Sequence, residues 1–375
     1  MKFGGNRYTL AEIAGGFGDV DTLVPFVVGY ITINRLDPQS VLLGFGLVAV
    51  ATGLYFRTPM PVQPMKALAT MAITHPATVT PGMIVASAFA TGVFWLAMAA
   101  TGTVSWLAAV TSRPVVRGMV LGLGLSFMLE GVTMMSQGAI LALVGAAVTF
   151  LLLGRRLPAI FALLIYGAGA ALVLDPSLMY DLSTLAPSVR WPRIGLPAFT
   201  WTELLRGSLV LALPQVALTF GNAVIATAEE NNRLFPDRPI TVRQLALDHG
   251  LMNLAAAGVG GVPMCRGAGG MAGHIRFRAR TGGAVVVLGL LLLIGALVLA
   301  DSLGTLFRLF PFPVLGVILF FGGMELAASV ASDGFSMGEQ TILAVTAGIA
   351  LWNMAAAYVA GLLLYHAWRH GAVRL

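Results

Sequence analysis

Apolar residues occur along this chain in blocks of about 20, and short polar or proline-rich connections separate the blocks. A helix needs about 20 mostly apolar residues to cross about 30 Å of hydrocarbon. The pattern therefore predicts an all-α, polytopic membrane protein. Its fourteen candidate spans are 10–31, 40–56, 64–75, 81–101, 114–131, 138–153, 158–174, 202–228, 242–259, 266–276, 283–300, 312–330, 339–351 and 353–367.

Two of these spans, 64–75 and 266–276, are too short to cross the membrane as helices. The first follows the proline-rich stretch "TPMPVQP", and the second follows a stretch that contains Pro263. Proline lacks an N–H group and breaks a helix interior, although it suits the first turn of a helix. We therefore predict extended backbone at 57–66 and 260–266, each leading into a half-helix that begins within the membrane.

The two halves of the chain resemble each other on either side of the polar connection 175–201. "TPMPVQPMKALA" (58–69) corresponds to "GVPMCRGAGGMA" (261–272). "PVVRGMVLGLGLSFMLE" (114–130) corresponds to "PVLGVILFFGGMEL" (313–326). Because the matches occur in the same order at similar spacing, they indicate an internal repeat.

Seven spans in each half would turn the second half upside down relative to the first, which is a common plan among transporters. The predicted fold is thus a 7+7 inverted repeat within one membrane domain covering residues 1–375. The repeats are expected at 9–175 and 202–368, with half-helices at spans 3 and 10. A short amphipathic segment at 103–112 is expected at the membrane interface.

Composition agrees with this fold class. The chain is 58% hydrophobic and 10% charged, whereas a soluble protein carries roughly a quarter charged residues. An N-terminus in the cytoplasm places most arginines in inside segments, as the positive-inside rule demands. We therefore predict a multi-pass protein of the inner or plasma membrane with both termini cytoplasmic. The single cysteine excludes an intramolecular disulfide.

Lys66 and Arg266 are the two cations left within the membrane, at repeat-equivalent places. A charge at mid-membrane costs about 2.5–3.5 kcal/mol on insertion scales, and a helix N-terminus favours an anion rather than a cation. An anion lying between each cation and each half-helix would offset both penalties. The pattern thus favours a site for a compact, doubly charged oxyanion; snorkelling of both side chains to an interface is the alternative.

Further polar residues are expected around this site. Gln63 adjoins the start of the first half-helix, while Cys265 and Gly267 flank Arg266. Amides and a hydroxyl also share one face of the eighth span, at Gln215, Thr219 and Asn222. These groups suit an oxyanion that must be released again. Ordinary hydrogen bonds between helices are the alternative for them, as helix packing is for the glycines after Arg266.

Acidic residues inside predicted spans are candidates for proton coupling. The candidates are Asp19, Asp21, Glu130 and Glu325. Asp19 or Asp21 is expected to pair with Lys66 or to carry a coupled proton. Glu130 and Glu325 lie near repeat-equivalent span ends, so interface caps or partners of arginines are the alternative for these two. No metal or cofactor is expected.

The segments "PMPVQPMKALA", "RPVVRGMVLGLGL" and "GGVPMCRGAGGMAGHIRFRARTGG" resemble the molybdate transporter family that is related to the SulP sulfate permeases. The resemblance covers essentially the whole chain. It implies a SulP- and UraA-like fold in which a core domain, spans 1–4 and 8–11, moves against a gate domain, spans 5–7 and 12–14. It also implies an oxyanion bound between spans 3 and 10. SulP permeases usually carry a STAS domain, which this chain is expected to lack.

The expected function is secondary active transport of a tetrahedral oxyanion, molybdate first and sulfate next, by alternating access. The sequence has no HExxH, GxSxG or P-loop motif, which argues against an enzyme and against ATP-driven transport. A same-fold carrier for another organic or inorganic anion and an anion channel are the alternatives. The expected partners are the oxyanion and the lipid bilayer, with no nucleic acid; proton coupling and a homodimer are left open.

Overall fold

The computed structural model describes residues 2–3, 5–152, 159–192, 194–195, 199–328, 330 and 334–374. Most of these residues are helical, as predicted. The helices of the first half are α1 Leu10–Gly16, α2 Val20–Thr32, α3 Pro38–Phe56, α4 Lys66–Thr74, α5 Pro81–Thr101, α6 Thr103–Val110, α7 Arg113–Ser136, α8 Ala139–Leu152, α9 Ala159–Leu174 and α10 Ser177–Ser183.

The helices of the second half are α11 Trp201–Arg206, α12 Leu213–Leu218, α13 Thr227–Leu234, α14 Val242–Gly258, α15 Ala268–Arg276, α16 Gly283–Val298, α17 Leu303–Phe307, α18 Phe312–Ala328, α19 Met337–Ala350 and α20 Met354–Arg369. Two π-helical segments, Gly207–Ala212 and Thr219–Ala226, join α11, α12 and α13 into one helix. Short strands are β1 Lys2–Phe3, β2 Asn6–Arg7, β3 Gln63–Pro64 and β4 Met264–Cys265.

Among the described residues, four helices are long and apolar enough to cross a membrane by length and composition. They are Pro38–Phe56, Pro81–Thr101, Arg113–Ser136 and Trp201–Leu234. A fifth candidate is the bent pair Phe161–Leu174 and Ser177–Ser183. Other predicted spans are shorter or interrupted; the first is divided by a 3-10 segment at Phe17–Asp19. The count of fourteen spans therefore stays a prediction.

The two broken spans are confirmed. β3 and β4 pair antiparallel, with Gln63 opposite Cys265 and Pro64 opposite Met264. The Met65 N–H donates to the Pro263 carbonyl at 3.1 Å, which extends the pairing by one bond. Each strand leads into a helix of 9 residues, α4 or α15. The proline-rich backbone thus finds its hydrogen-bonding partners in the other broken span, as buried polar backbone must.

Helix packing follows the symmetry expected of an inverted repeat. α3 packs against α16, and α14 packs against α5. In the predicted numbering, the first pair joins spans 2 and 11, and the second joins spans 9 and 4. In a 7+7 repeat, span 2 corresponds to span 9 and span 4 to span 11, so each pair is the repeat counterpart of the other. α7 also packs against α18. These helices are predicted spans 5 and 12, which correspond to each other in the repeat.

The described part of the connection 175–201 is fastened by arginines at both ends. Arg190 donates to Asp37 at 2.5 Å, next to the start of α3. Arg308, which follows α17, donates to Asp175 at 2.5 Å and to Asp181 at 2.7 Å. The connection is therefore attached to elements of both halves of the chain.

Candidate functional site

A small cavity lies where the two broken spans meet. The residues that line it are Gln63, Pro64, Lys66, Gln215, Leu218, Asn222, Cys265 and Arg266. Thr219 bonds to two of these residues, and Gly267 approaches two of them. The structure thus brings together all eight residues that the sequence placed at the binding site, although their chemical roles differ from one another.

Gln215 caps the first half-helix from a neighbouring helix. Its Oε1 accepts from the N–H groups of Ala67 at 3.0 Å and Leu68 at 3.2 Å. Its Nε2 donates to Thr219 Oγ1 at 3.1 Å, and that hydroxyl lies 3.5 Å from Cys265 Sγ. Gln215 and Thr219 therefore make the hydrogen bonds between elements that the sequence left as their alternative. Gln215 thereby satisfies two orphan N–H donors of α4.

The second half-helix begins differently. Gly267 precedes α15 in an extended conformation, and no side chain caps it. Within the part of the chain that the structure describes, no acceptor is recorded for the N–H groups of Ala268, Gly269 or Gly270. A helix N-terminus carries a partial positive charge and unsatisfied donors, which together attract anions. The two half-helices are thus unequal: one is capped by protein, and the other keeps open donors.

Glycine at 267 lets two side-chain amides approach this open end. A Cβ at Gly267 would lie 2.7 Å from Gln63 Oε1 and 3.3 Å from Asn222 Nδ2. Gln63 Oε1 is buried and has no hydrogen-bond partner among the described residues. The start of α15 is therefore surrounded by amides that can turn toward a ligand.

Lys66 is the cation that faces the cavity. It is 9% exposed, and its ammonium lies 5.9 Å from the ring centroid of Phe127 on α7. Among the described residues, none lies within ion-pair or hydrogen-bonding distance of this ammonium. Its charge does act on the Asp19 carboxyl group. Lys66 thus keeps a largely buried charge without a close counter-ion in the described part of the chain.

Arg266 has a different environment, because its guanidinium is already paired. Nε and Nη2 donate to the two carboxylate oxygens of Asp248 at 2.5 Å and 2.8 Å. Nη1 donates to the Pro61 carbonyl at 2.8 Å, and Nη2 also donates to Thr52 Oγ1 at 2.9 Å. The sequence led us to expect that Arg266, like Lys66, would have a free charge facing the anion. Arg266 does line the cavity, but its charge is already paired with Asp248.

Asp19 lies beside the open end of α15. It is 4% exposed, and its Oδ1 accepts from Gln63 Nε2 at 2.5 Å. A Cβ at Gly270 would lie 2.7 Å from both of its carboxylate oxygens. A carboxylate therefore rests against the first turn of α15, close to where an anion would bind.

The remaining predicted acids lie elsewhere or outside the description. The side chain of Asp21 is outside the described residues. Glu325, on α18, approaches Arg276 at 3.5 Å, which is the arginine partnership left open for it. Glu130, on α7, is half-buried and near His75. Neither glutamate lines the cavity, and their coupling roles stay predictions.

Sequence reasoning missed two residues of α14 that support the site. Asp248 pairs with Arg266, and Asn253 brackets Met264, since its Oδ1 accepts from the Met264 N–H at 2.9 Å while its Nδ2 donates to the Met264 carbonyl at 2.9 Å. An acid in the middle of an apolar span was an available signal for Asp248. The partner of Asn253 is a backbone group, which no side-chain pattern indicates.

Chemically, the groups around the cavity suit a small anion. They include the Lys66 ammonium, side-chain amides and the N–H groups at the start of α15 for which the described residues provide no acceptor. A family model described as a molybdate transporter of the MFS superfamily matches residues 11–127 and 207–326. The chain belongs to this molybdate transporter family. The matched residues include both half-helices, and the family is one of transporters rather than enzymes.

Relatives from Arabidopsis thaliana are similar along nearly the whole chain. Molybdate transporter 2 is 32% identical over 409 residues, covering 95% of this chain and 86% of the relative. Molybdate transporter 1 is 30% identical over 410 residues, covering 96% of this chain and 88% of the relative. This family member is therefore a multi-pass membrane protein.

Two solved structures resemble the fold. The transmembrane domain of the cyanobacterial bicarbonate transporter BicA superposes with a TM-score of 0.67 at 15% identity, covering 96% of this chain and 98% of that one. The murine anion transporter Slc26a9, in its inward-facing state, gives a TM-score of 0.74 at 12% identity, covering 100% of this chain and 70% of that one. The family member thus shares the fold of these SulP-type transporters.

Proposed function

We propose that this protein is a secondary active transporter that moves a tetrahedral oxyanion across the membrane by alternating access. Molybdate is the first candidate, because the family and its Arabidopsis relatives are described as molybdate transporters. Sulfate is the second, since it is also a tetrahedral dianion. A carrier for another anion and an anion channel are the competing functions.

The observation that carries the proposal is the environment of Lys66. A largely buried ammonium without a close counter-ion is costly, and an anion in the cavity would lower that cost. Opposite it, α15 offers N–H groups for which the described residues provide no acceptor. A compact dianion would thus meet a full charge on one side and a helix N-terminus on the other.

We further propose that the core domain, spans 1–4 and 8–11, carries this site against the gate domain, spans 5–7 and 12–14. The cavity residues all belong to proposed core spans, whereas Phe127, which lies over Lys66, belongs to a proposed gate span. A site at this boundary would be exposed to one side of the membrane or the other as the core moves.

Proton coupling is the part of the proposal that Asp19 supports. An oxyanion bound at the start of α15 would lie near the Asp19 carboxylate, and like charges disfavour each other. Protonation of Asp19 removes this repulsion, so the proton and the anion would bind cooperatively. The expected reaction is symport of the oxyanion with a proton.

For the protein as a whole, we propose the inner or plasma membrane as its location, with both termini in the cytoplasm. The support is the excess of arginine in the segments that this orientation places inside. A homodimer is retained as the proposed assembly to be tested by mass measurement in detergent.

The decisive experiment is binding and uptake by Lys66→Ala. Molybdate, tungstate and sulfate are titrated against the purified protein by calorimetry, and radiolabelled molybdate uptake is measured in liposomes. Lys66→Ala should lose at least about tenfold in molybdate affinity while its melting temperature without ligand is kept or raised, because a buried cation without a partner has been removed. The ligand-induced rise in melting temperature should shrink accordingly.

Arg233→Ala is the matched control, since Arg233 is an exposed cation paired with Glu230 on α13. It should bind molybdate as the unmodified protein does. Wild-type affinity in Lys66→Ala would remove the cavity as the anion site. Accelerated uptake by molybdate preloaded inside the liposomes would separate a carrier from a channel.

A further inference from the structure

Arg266 and Asp248 form a buried ion pair whose geometry is complete without any ligand. The Arg266 side chain is 0% exposed and the Asp248 side chain is 19% exposed. Two parallel N–H···O bonds join them, and a guanidinium in this fork arrangement is strongly held. An anion that needed the Arg266 charge would first have to displace this carboxylate.

The partners of Arg266 lie on separate parts of the fold. Thr52 and Phe56 are on α3, and the guanidinium also lies 5.3 Å from the ring centroid of Phe56. Asp248 is on α14, while Pro61 is in the extended segment before β3. One side chain therefore ties the extended segment of the first broken span to helices from both halves of the chain.

Asn253 provides a second attachment from α14 to the same crossing. Its amide bonds both the N–H and the carbonyl of Met264 on β4, as a neighbouring strand would. β4 is thus held by β3 on one edge and by Asn253 on the other. Together, Asp248 and Asn253 make α14 the support for the crossing of the two strands.

We infer that Arg266 is a positioning residue, which with Asp248 braces the crossing of β3 and β4 from behind and offers no charge to the anion. The inference rests on the proposed oxyanion site, because it states which of the two membrane cations meets the substrate. Lys66 alone provides the neutralising charge, and Arg266 keeps β3 and the start of α4 in place around it.

Cys265 provides a reporter of the crossing that does not require anion binding. It lies on β4, is 5% exposed, and is the single cysteine of the sequence. The rate at which it reacts with the small neutral reagent methyl methanethiosulfonate, followed by mass spectrometry on the full-length protein, reports how often the crossing opens.

Two variants should raise this rate by at least about tenfold, since labelling follows the open fraction. Arg266→Lys keeps the charge but loses the fork, and Asp248→Asn keeps the shape but loses the ion pair. Molybdate affinity should fall in Arg266→Lys despite the retained charge. Thr52→Val removes only the hydrogen bond from Arg266 to Thr52 and should give a smaller increase in labelling. It provides the test if Arg266→Lys or Asp248→Asn prevents folding.

Arg308→Gln is the matched control, because Arg308 is an exposed arginine that also binds carboxylates. Its Cys265 should label at the wild-type rate. If Cys265 stays protected in both Arg266→Lys and Asp248→Asn, the inference is overturned, whether or not affinity changes. If labelling rises as expected while Lys66→Ala retains full molybdate affinity, the brace stands and the proposed anion site fails.

Discussion

At the scale of single residues, the two cations within the membrane, Lys66 and Arg266, differ in their electrostatic environment. Lys66 has a largely buried charge with no close counter-ion among the residues that the structure describes, whereas Arg266 is neutralised by Asp248. The acid Asp19 adds a third charge, which lies against the first turn of α15. If the anion binds in this cavity as proposed, its affinity should depend on the protonation of Asp19 as well as on Lys66.

Asp19→Asn tests this dependence. An amide resembles the protonated acid, so molybdate binding should become tighter at neutral pH and lose its dependence on pH. In the wild-type protein, affinity should rise as the pH falls, by at most about tenfold per pH unit for one linked proton. Calorimetric titration at neutral and mildly acidic pH measures this directly.

Asp175→Asn serves as its control, because Asp175 is an exposed acid that pairs with Arg308 and does not line the cavity. It should keep the wild-type dependence on pH. A similar slope in Asp19→Asn and the wild type would exclude Asp19 as the coupled group.

Residue types predicted part of this site, but not the pairings within it. Pro59, Pro61 and Pro263 lack N–H groups, which is a local property, so the broken backbone could be read from the sequence. Gln215 acts on α4, 148 residues away, and Asp248 acts on Arg266, which lies in a different span; only tertiary packing selects those partners. Amides and acids within apolar spans could be recognised as important without revealing whether they bind protein or ligand.

At the scale of elements, α15 is placed by close contact with the broken first span. A Cβ at Gly18 would lie 2.5 Å from the Gly273 carbonyl oxygen. The 3-10 segment Phe17–Asp19 packs on α15 at this point. The break in the first span thus brings Asp19 to α15, a contact that the continuous span predicted at 10–31 did not anticipate.

Adjacent glycines of α15 give a matched pair for testing this packing. Gly270→Ala should lower the free energy of unfolding by about 1–3 kcal/mol, because its Cβ would press on the hydrogen-bonded Asp19 carboxylate. A Cβ at Gly269 meets nothing within 4 Å, so Gly269→Ala should be neutral or should stabilise the helix by about 0.5–1 kcal/mol. Thermal melting in detergent compares them, and equal melting temperatures would contradict the packing described for α15.

At the scale of the whole molecule, the connection 175–201 fastens the two halves to each other outside the proposed membrane region. The Ser177 hydroxyl and the Arg308 guanidinium lower the pKa of Asp175 below its ordinary value. An acid with a lowered pKa in the folded state stabilises the fold above its ordinary pKa. This stability is lost as the pH falls through the lowered value.

Arg308→Gln should therefore melt at a lower temperature than the wild type near neutral pH. The difference should begin to shrink at about pH 4, the ordinary pKa of aspartate, and should vanish once the pH is below the lowered pKa of Asp175. Melting curves across this range decide the matter, and a difference that persisted in acid would show that Arg308 acts through packing instead. Arg233→Gln, whose partner Glu230 lies on the same helix, should not alter the attachment between halves.

The backbone pairing of β3 with β4 has a consequence for energetics. Both half-helices are joined at their starting points by main-chain hydrogen bonds, so neither can move without the other. If the core moves as proposed, the anion moves together with a binding site that keeps its geometry, because the two half-helices do not separate. The intrinsic affinity of the site for the anion is then the same whether the site is open to one side of the membrane or to the other. If transport is coupled as proposed, net flow is driven by the gradients of the anion and the proton and by the membrane potential, because a dianion with one proton carries net charge. The flow reverses when the sum of these driving forces does.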